Sequence, residues 1–337
     1  MKYSEIKENY PMKKYVAYKL KNAVTHFKEK GYAQYYYSDL SKLSNEIAEC
    51  SSHQSVKVCK VCGSKFCDHT RQSYCRNRLC PVCARRRSLK YIALLIPVFE
   101  DLMKQGYIIN FLTLTIKDTE KLSTGLDLLT NSWRKMTHED KYSRSIFKTL
   151  FAGGIRNIEV KIGENSKMWH PHMHLLVVKK SFTKDYDYIK SLWEKATRTV
   201  AKTNKKIGSV HIECIKTPAG TKYQGFKANK TNTGDYIVSS DMSQALLKAV
   251  CETVKYITKF NFEDYSNDDI NELIVETKNK RFMNAFGMLF NLQKEFNNDC
   301  EDIDEDETKK EICTHCGCSE FYLETCLTEA TDYLEEF

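Results

Sequence analysis

Apolar and polar residues alternate in four segments of the chain, and this period of two predicts β-strands. The predicted strands cover residues 108–116, 155–162, 170–178 and 209–215. Between and around them, apolar residues recur three or four positions apart, which predicts helices. The predicted helices cover 84–104, which Pro97 breaks or kinks, 122–148, 185–202 and 243–260, with a further helical pair inside 1–50.

The same pattern divides the chain into five predicted regions. They are a helical N-terminal segment at 1–50, a basic cysteine-containing module and helix at 51–104, a strand-rich domain at 105–262, a helical extension at 263–298 and an acidic tail at 299–337. The loop at 216–233 is rich in Gly and Lys. It could touch a nucleic acid or could simply be mobile.

The third predicted strand begins with histidines at every second position, His170, His172 and His174. Side chains two apart in a strand point to one face, so the three imidazoles are expected to project together. Neutral imidazoles at this spacing suit a divalent metal ion. A histidine-rich surface strand and buried histidines satisfied by hydrogen bonds are the alternatives, and the spacing does not decide among them.

A predicted hairpin supplies a carboxylate to the same face. If its turn is centred between Asn165 and Ser166, Glu159 lies directly opposite His172. A carboxylate beside two imidazoles suits Mn²⁺ or Mg²⁺ at a phosphate. A slip of one residue would remove the pairing and leave Glu159 facing solvent.

Charge is unevenly distributed along the 337 residues. From Asn297 to Phe337 there are 14 acidic residues and two lysines, whereas the preceding 296 residues hold 50 Lys or Arg and 30 acidic residues. A body with a net charge of +20 predicts a polyanionic partner such as nucleic acid, with a merely lysine-rich solvated surface as the alternative. No apolar run is long enough to cross a bilayer and the N-terminus lacks a secretory signal, so we expect a cytoplasmic protein.

Fourteen cysteines in such a chain point to metal binding or catalysis rather than disulfides. Two Cys-x2-Cys pairs, 17 residues apart, predict one tetrahedral zinc site with the ligands Cys59, Cys62, Cys80 and Cys83. Three further residues could replace one of these ligands or help to bind a second ion: Cys67, His69 and Cys75. Nearby arginines favour a structural zinc that presents cations to phosphates; they are Arg76, Arg78, Arg85, Arg86 and Arg87.

The predicted helix at 243–260 carries a candidate nucleophile. Its expected core face holds Leu246, Leu247, Val250, Val254 and Ile257. Glu252, Tyr256 and Lys259 share another face, and a cation or metal ion near a tyrosine stabilises its phenolate and activates it toward a phosphodiester. The alternative is that these three residues simply decorate a solvated helix.

Four motifs occur in a characteristic order: CRNRLCPVC at 75–83 followed by RRRSLK, FLTLT at 111–115, WHPHMH at 169–174, and Glu252-x3-Tyr256-x2-Lys259. Together they resemble the replication initiators of rolling-circle plasmids, in the HUH endonuclease superfamily named for its histidine-hydrophobic-histidine motif. The resemblance covers residues 59–260.

The resemblance implies a role for each matching residue. His172 and His174 would bind the catalytic metal ion, with Glu159 as the third ligand. Tyr256 would attack the replication origin, forming a 5′-phosphotyrosine and leaving a free 3′-hydroxyl as primer. Glu252 would activate water in a terminating hydrolysis, and Lys259 would neutralise charge on the phosphate or phenolate.

The resemblance also implies an α+β fold, an antiparallel β-sheet flanked by helices, with the endonuclease domain at 105–262 and an N-terminal zinc-binding module at 51–104. Mn²⁺ or Mg²⁺ would be the catalytic ion and Zn²⁺ the structural one. The expected partners are single-stranded or hairpin plasmid origin DNA, with a host helicase and polymerase, in the bacterial cytoplasm and without a membrane. A homodimer is left open.

The acidic tail departs from this family pattern, because it ends in a further cysteine cluster. Cys313, Cys316 and Cys326, with either Cys318 or His315, would provide four ligands for a second zinc ion. Free cysteines in a tail are the alternative.

Three rival functions follow from the same residues. A one-tyrosine transposase or a conjugative relaxase of the superfamily would use the same chemistry on other DNA. A zinc-dependent DNA-binding regulator would have structural histidines and no covalent chemistry.

Overall fold

A computed structural model describes the chain at residues 3–32, 35–67, 74–138, 147–180, 186–217, 220–254, 265–297, 312–313 and 315–327. The chain divides into two compact units, and each is described by itself. The first comprises Met1–Arg86 and Asn298–Phe337, and the second comprises Arg87–Asn297. Among the described residues, no helix has both the length and the apolarity needed to cross a bilayer.

The helices are α1 Tyr3–Glu29, α2 Tyr35–Glu49, α3 Pro81–Lys104, α4 Leu122–His138, α5 Tyr186–Val200, α6 Ser240–Val254, α7 Asn267–Thr277 and α8 Gln293–Asn297, with a 3-10 turn at Phe290–Leu292. The strands are β1 His53–Cys59, β2 Lys65–Cys67, β3 Ile108–Ile116, β4 Gly153–Glu159, β5 His172–Lys179, β6 Gly208–Ile212, β7 Ile215–Lys216, β8 Lys222–Tyr223, β9 Asn229–Lys230, β10 Tyr236–Ile237, β11 Met283–Gly287 and β12 Phe321–Leu327.

The second unit is built on a five-stranded sheet in the order β11-β4-β5-β3-β6, and every neighbouring pair is antiparallel. The central strand β5 is buried on both faces, which explains its nearly continuous apolar run after the histidines. An antiparallel sheet with helices confirms the predicted α+β fold.

Helices cover both faces of this sheet. Arg156 and Asn157 are consecutive in β4 and therefore point to opposite faces. The Arg156 guanidinium lies 5.5 Å from the ring centre of Trp133 in α4, while Asn157 Nδ2 donates a 2.8 Å hydrogen bond to the carbonyl of Thr253 in α6. Thus α4 lies against one face and the end of α6 against the other.

Helix α6 is also tied to α3 within the second unit. Ser88 Oγ donates to the carbonyl of Val254 over 3.1 Å, and Ser243 Oγ donates to Glu100 Oε1 over 2.6 Å. These bonds anchor both ends of α6, so the backbone of its last turn is held in place against α3 as well as against the sheet.

The first unit contains the predicted helical pair, α1 and α2, and a three-stranded antiparallel sheet in the order β12-β1-β2. Strand β12 comes from the far end of the chain and pairs with β1 along its whole length, from His53↔Leu327 to Cys59↔Phe321. This strand was not predicted, because its sequence lies beyond an acidic segment and is too short for a clear pattern.

The predicted strand at 108–116 is confirmed by β3, and the strands at 155–162, 170–178 and 209–215 and the helices at 84–104 and 185–202 are confirmed with end shifts of a few residues. Helices α4 and α6 confirm the first parts of the helices predicted at 122–148 and 243–260, of which residues 139–146 and 255–260 lie outside the described part of the chain. Helix α3 runs through Pro97 rather than breaking there. The expected helical extension at 263–298 also contains β11, which adds an edge strand to the main sheet beside β4. Five residues that include Asn and Gly gave no strand pattern, and only pairing with β4 makes them a strand.

Two neighbouring leucines of α6 test the packing of this helix. Leu246 is 0% exposed, whereas Leu247, predicted to face the core, is 42% exposed. We expect Leu246→Ala to lower the free energy of unfolding by about 2–5 kcal/mol and Leu247→Ala by less than about 1 kcal/mol. Urea unfolding of the two variants measures this, and equal losses would contradict the packing described here.

Candidate metal centre

Strands β4 and β5 bring Glu159, His172 and His174 together on one face of the sheet. The register pairs Glu159 with His172, as predicted, and Asn157 with His174. The connecting hairpin is closed by a bridge between Ile162 and Trp169. Its centre therefore falls between residues 165 and 166, which places the carboxylate and both imidazoles on the same side.

The three ligand atoms lie close enough to share one ion. Glu159 Oε2 is 3.0 Å from His174 Nε2 and 3.3 Å from His172 Nε2, and the two Nε2 atoms are 3.1 Å apart. Ligands that bind one ion at about 2.1 Å and at right angles are about 3 Å apart. The group therefore has the spacing of one face of an octahedral metal site.

Among the residues that the structure describes, none closes this centre completely. The His172 side chain is 5% exposed, His174 15% and Glu159 21%. Three protein ligands that leave further positions accessible are typical of a metal site that binds a substrate rather than of a closed structural site. A phosphate oxygen or water could complete the coordination.

Hydrogen bonds orient both imidazoles. His172 Nδ1 is 3.3 Å from the carbonyl oxygen of His170, which can only accept, so Nδ1 carries a proton. His174 Nδ1 is 3.0 Å from Thr113 Oγ1 in β3, the strand on the other side of β5. Because these contacts occupy the Nδ1 atoms, the Nε2 atoms are the ones that face the site. The Nε2 lone pairs would bind a cation there.

The Glu159 carboxylate is kept ionised. Burial raises its pKa, but the hydrogen bonds and positive charge of His172 and His174 outweigh this and hold the pKa well below its usual range. A negative charge is therefore available for a cation across the physiological pH range.

His170, expected to project with the other two histidines, does not join the three ligands. Its Nδ1 is 2.5 Å from Asp118 Oδ1, and Ser166 Oγ donates to the other oxygen of Asp118. Burial raises the pKa of Asp118, but the hydrogen bonds from Ser166 and His170 outweigh this and lower it. His170 thus stabilises the base of the hairpin.

Trp169 holds the same hairpin from the other side. Its Nε1 donates to Glu272 Oε2 of α7 over 2.8 Å, and the other oxygen of Glu272 accepts the amide N–H of Leu122 at the start of α4. The ring of Tyr265 lies 5.6 Å from that of Trp169. Sequence reasoning did not identify Glu272, Thr113 or Asn157, since each acts across elements far apart in the chain.

Of the three predicted catalytic residues, the structure describes Glu252 alone. Glu252 lies in the last turn of α6 and is half-buried, and Thr253 next to it is bonded to Asn157, which pairs with His174. Tyr256 and Lys259 lie outside the described residues, as does Ile257 of the predicted core face.

Comparison with known sequences assigns the chain to a family. The sequence profile named Rep_1, described as "Replication protein", matches residues 68–321. The chain belongs to this family of replication proteins. The match confirms the resemblance to replication initiators on which the roles of the histidines and of Tyr256 were based.

Relatives of this replication protein come from several bacteria, and the three that follow are named "Protein rep". One from a Bacillus species is 28% identical over 260 residues, 71% of this chain and 76% of the relative. One from Bacillus amyloliquefaciens is 26% identical over 279 residues, 76% of this chain and 74% of the relative. One from Lactiplantibacillus plantarum is 27% identical over 180 residues, and the match spans 53% of that protein. No solved structure matches the chain significantly.

The first unit of this replication protein holds a cluster of four thiols, Cys50, Cys75, Cys80 and Cys83, whose sulfur atoms lie within 4.8 Å of one another. The Cys83 sulfur is 3.5 Å from that of Cys50 and 3.7 Å from that of Cys75. Ligands of a tetrahedral ion with Zn–S bonds of about 2.3 Å lie about 3.8 Å apart, so these thiols could hold a metal ion. Cys50, at the end of α2, carried no spacing signal in the sequence.

The predicted set Cys59, Cys62, Cys80 and Cys83 is divided by the structure. Cys80 and Cys83 belong to the cluster above, while Cys59 and Cys62 lie with Cys313 and Cys316 in a second group. The reason is that β1 pairs with β12, which carries the C-terminal cysteines to the first Cys-x2-Cys pair instead of the second.

Two further predicted zinc ligands lie outside these groups. Cys318 and His315 are described but belong to neither group of thiols. His69 lies outside the described residues, and the side chains of Cys67 and Cys326 are not among those that the structure describes.

The arginines predicted to contact DNA, Arg76, Arg78, Arg85, Arg86 and Arg87, differ in exposure. Arg76 is exposed, whereas Arg87 is buried. The guanidinium of Arg86 lies 4.2 Å from the ring centre of Tyr74. Of the five, Arg76 is therefore the most exposed side chain.

Loss of one imidazole should weaken metal binding at the β4–β5 centre. We expect His174→Ala to weaken Mn²⁺ binding by at least about tenfold, since even an outer-shell change costs that much. Electron paramagnetic resonance titration of free Mn²⁺ measures the affinity. The control is His211→Ala, an exposed histidine that pairs with Thr113 from the opposite strand. Equal affinities in the two variants would show that His174 is not a ligand.

Proposed function

We propose that this replication protein initiates rolling-circle replication of a plasmid as a metal-dependent, site-specific single-strand DNA endonuclease and strand transferase. The observation that carries the proposal is the convergence of Glu159, His172 and His174 within 3.3 Å of one another, open on one side. Family membership supports replication over transposition or conjugation as the setting for this chemistry.

The donor set fits a hard divalent ion. One carboxylate oxygen and two imidazole nitrogens, with open positions beside them, suit Mn²⁺ or Mg²⁺ better than the closed sulfur-rich site of structural zinc. A bound ion would polarise the scissile phosphate and stabilise the charge that develops on it. Glu159, His172 and His174 would hold that ion from β4 and β5.

Tyr256 is the proposed nucleophile. Its phenolate oxygen would bond to the scissile phosphorus while the bond from phosphorus to the 3′-oxygen breaks. The 3′-oxygen takes up a proton and becomes the primer for a polymerase, and the 5′-phosphate stays on the tyrosine. A second transfer would rejoin the DNA, or water activated by Glu252 would release the phosphate at termination.

The fold supports this role for Tyr256 through the anchoring of α6. The carbonyl of Thr253 is fixed 2.8 Å from Asn157 Nδ2, on the sheet face that carries the metal ligands. Tyr256 follows Thr253 by three residues, so covalent geometry alone keeps their Cα atoms within about 11 Å. Lys259, a further three residues on, would neutralise the phosphate or the phenolate.

The cluster Cys50, Cys75, Cys80 and Cys83 is proposed to bind structural zinc. Four thiolates around Zn²⁺ carry a net charge of −2, and a buried lysine lies beside them: Lys13 is 0% exposed and its Nζ donates to the carbonyl of Cys50 over 2.8 Å. Burial lowers the pKa of Lys13, and the charges of Cys50 and Cys80 offset this only in part. A metal–thiolate cluster would place further negative charge beside this buried lysine.

The proposed partner is plasmid origin DNA, single-stranded or extruded as a hairpin. The net charge of +20 before Asn297 supports binding of a polyanion. The bacterial origin of its relatives supports a role in the bacterial cytoplasm, where a host helicase and polymerase would extend the 3′-end.

Nicking through Tyr256 predicts a covalent protein–DNA adduct. The full chain is mixed with single-stranded origin DNA of its own element and Mn²⁺, then resolved on a denaturing gel. We expect an adduct with the wild-type protein and its loss in Tyr256→Phe, because the nucleophilic oxygen is gone. Tyr265→Phe is the control: Tyr265 is the next tyrosine and is buried against Trp169, and Phe preserves its ring.

An adduct that persists in Tyr256→Phe would mean that another residue is the nucleophile. The absence of any adduct on single-stranded, hairpin and supercoiled DNA, with tight binding retained, would favour a non-catalytic DNA-binding regulator.

A further inference from the structure

Two segments at opposite ends of the chain form the same turn. Both have the sequence Cys-x2-Cys-Gly, at 59–63 and 313–317. Gly63 N–H donates to the carbonyl of Cys59 over 2.9 Å, and Gly317 N–H donates to that of Cys313 over 2.8 Å. The two glycines have φ of 71° and 74°, a left-handed conformation that favours glycine. Both turns therefore require glycine at their fifth position.

A second hydrogen bond is also shared by the two turns. Cys59 N–H donates to the carbonyl of Ser64 over 2.9 Å, and Cys313 N–H donates to that of Cys318 over 2.7 Å. Each segment therefore folds back on its first cysteine in the same way. Two tight Cys-x2-Cys turns that face each other are the building blocks of four-thiolate zinc sites.

The four sulfur atoms of these turns converge. Cys59 Sγ is 3.5 Å from Cys316 Sγ, and Cys62 Sγ is 3.5 Å from Cys313 Sγ. These distances are far longer than a disulfide bond of about 2.05 Å and are near the separation of about 3.8 Å expected around one tetrahedral zinc ion. Each turn supplies two ligands.

Pairing of β1 with β12 brings the turns together. Beyond the strand ends, Lys60 N–H donates to the carbonyl of Glu320 over 3.0 Å. Lys65 and Glu324 form a 2.9 Å ion pair across the same sheet. The register is thus fixed up to the point where both chains enter their cysteine turns.

Among the side chains of this small sheet that the structure describes, apolar packing is slight. Val56 and Val58 of β1 are buried, but Tyr322 and Leu323 of β12 are 46% and 44% exposed. Structures with so little core are usually stabilised by disulfides or by a metal ion. A metal ion rather than a disulfide would stabilise this sheet, because the four sulfur atoms are not bonded to one another.

We propose that a second zinc ion, bound by Cys59, Cys62, Cys313 and Cys316, joins the two ends of the chain into one split zinc ribbon. The ion would close a loop of 251 residues between Cys62 and Cys313. It would hold the C-terminal strand, and with it the end of the acidic segment, on the N-terminal unit. Neither end could form the site alone, since each contributes only two ligands.

Zinc content tests whether the two ends share one ion. Full chain purified with zinc is analysed by inductively coupled plasma mass spectrometry. Cys59→Ser and Cys316→Ser should each lose one zinc ion per chain relative to the wild type, and the double variant should also lose only one. Cys318→Ser, in the same turn but outside the four thiols, should lose none. Losses of two ions in the double variant, or of none in either single variant, would overturn the proposal.

Thiol alkylation of the wild-type chain gives a readout that does not depend on a variant's folding. Cys62 and Cys316 are exposed and would react readily unless a metal ion holds them. With zinc bound, peptide mapping should find both protected while Cys318 reacts, and a chelator should release Cys62 and Cys316 together. Reaction of Cys316 at the rate of Cys318 in the zinc-loaded protein would contradict the split ribbon.

The two zinc sites can be distinguished in these experiments. The other thiol group consists of Cys50, Cys75, Cys80 and Cys83. If that group bound no zinc, the zinc content of the wild type would be lower, but the loss caused by Cys59→Ser would be the same. The nicking chemistry of the β4–β5 centre is likewise independent of either outcome.

Discussion

The register between β4 and β5 is the constraint on which the candidate centre depends. Side chains alternate between the two faces of a strand, so a slip of one residue would move Glu159 to the face opposite His172 and His174. The hairpin is held against such a slip from two sides. Trp169 is bonded to Glu272 in α7, and His170 is bonded to Asp118 after β3. Trp169 and His170 come just before His172 in the sequence. They fix the hairpin that carries the proposed ligands and do not belong to the ligand group themselves.

The proposed metal ligands and the anchor of α6 lie on one sheet face. Asn157 is two residues before Glu159 in β4, and it bonds to α6 at Thr253, one residue after Glu252. Strand β4 thus holds Glu159 and the end of α6 in a fixed relation, and fixed geometry is the main source of catalysis in the phosphoryl transfer proposed for this protein. The same contact brings Glu252 and the end of its helix to the sheet face of histidines that lie about 80 residues earlier in the sequence.

The sequence was sufficient for the parts of the structure that depend on local pattern. Strand β3 and the pairing of Glu159 with His172 follow from alternation and from the position of one turn. Contacts between distant segments were not predictable in this way. Cys50, Thr113, Asn157 and Glu272 act only because the fold brings other elements to them, and nothing in their neighbourhood distinguishes them.

The cysteines show the same limit most clearly. Spacing identified two Cys-x2-Cys pairs in the N-terminal module and joined them, since nearby pairs are the commonest partners. The structure instead joins the first pair to residues 313 and 316, because β12 completes the sheet that begins with β1. Strand pairing between distant segments depends on backbone hydrogen bonds, which carry little sequence information. The spacing of the cysteines therefore does not show which two Cys-x2-Cys pairs come together.

Binding of one divalent ion by Glu159, His172 and His174 can be observed directly in a crystal of the Mn²⁺-loaded protein measured at the manganese absorption edge. We expect a single anomalous peak on the β4–β5 face, about 2.1–2.3 Å from Glu159 Oε2 and from both Nε2 atoms. Strong manganese peaks elsewhere with none between these three side chains would contradict binding at this centre.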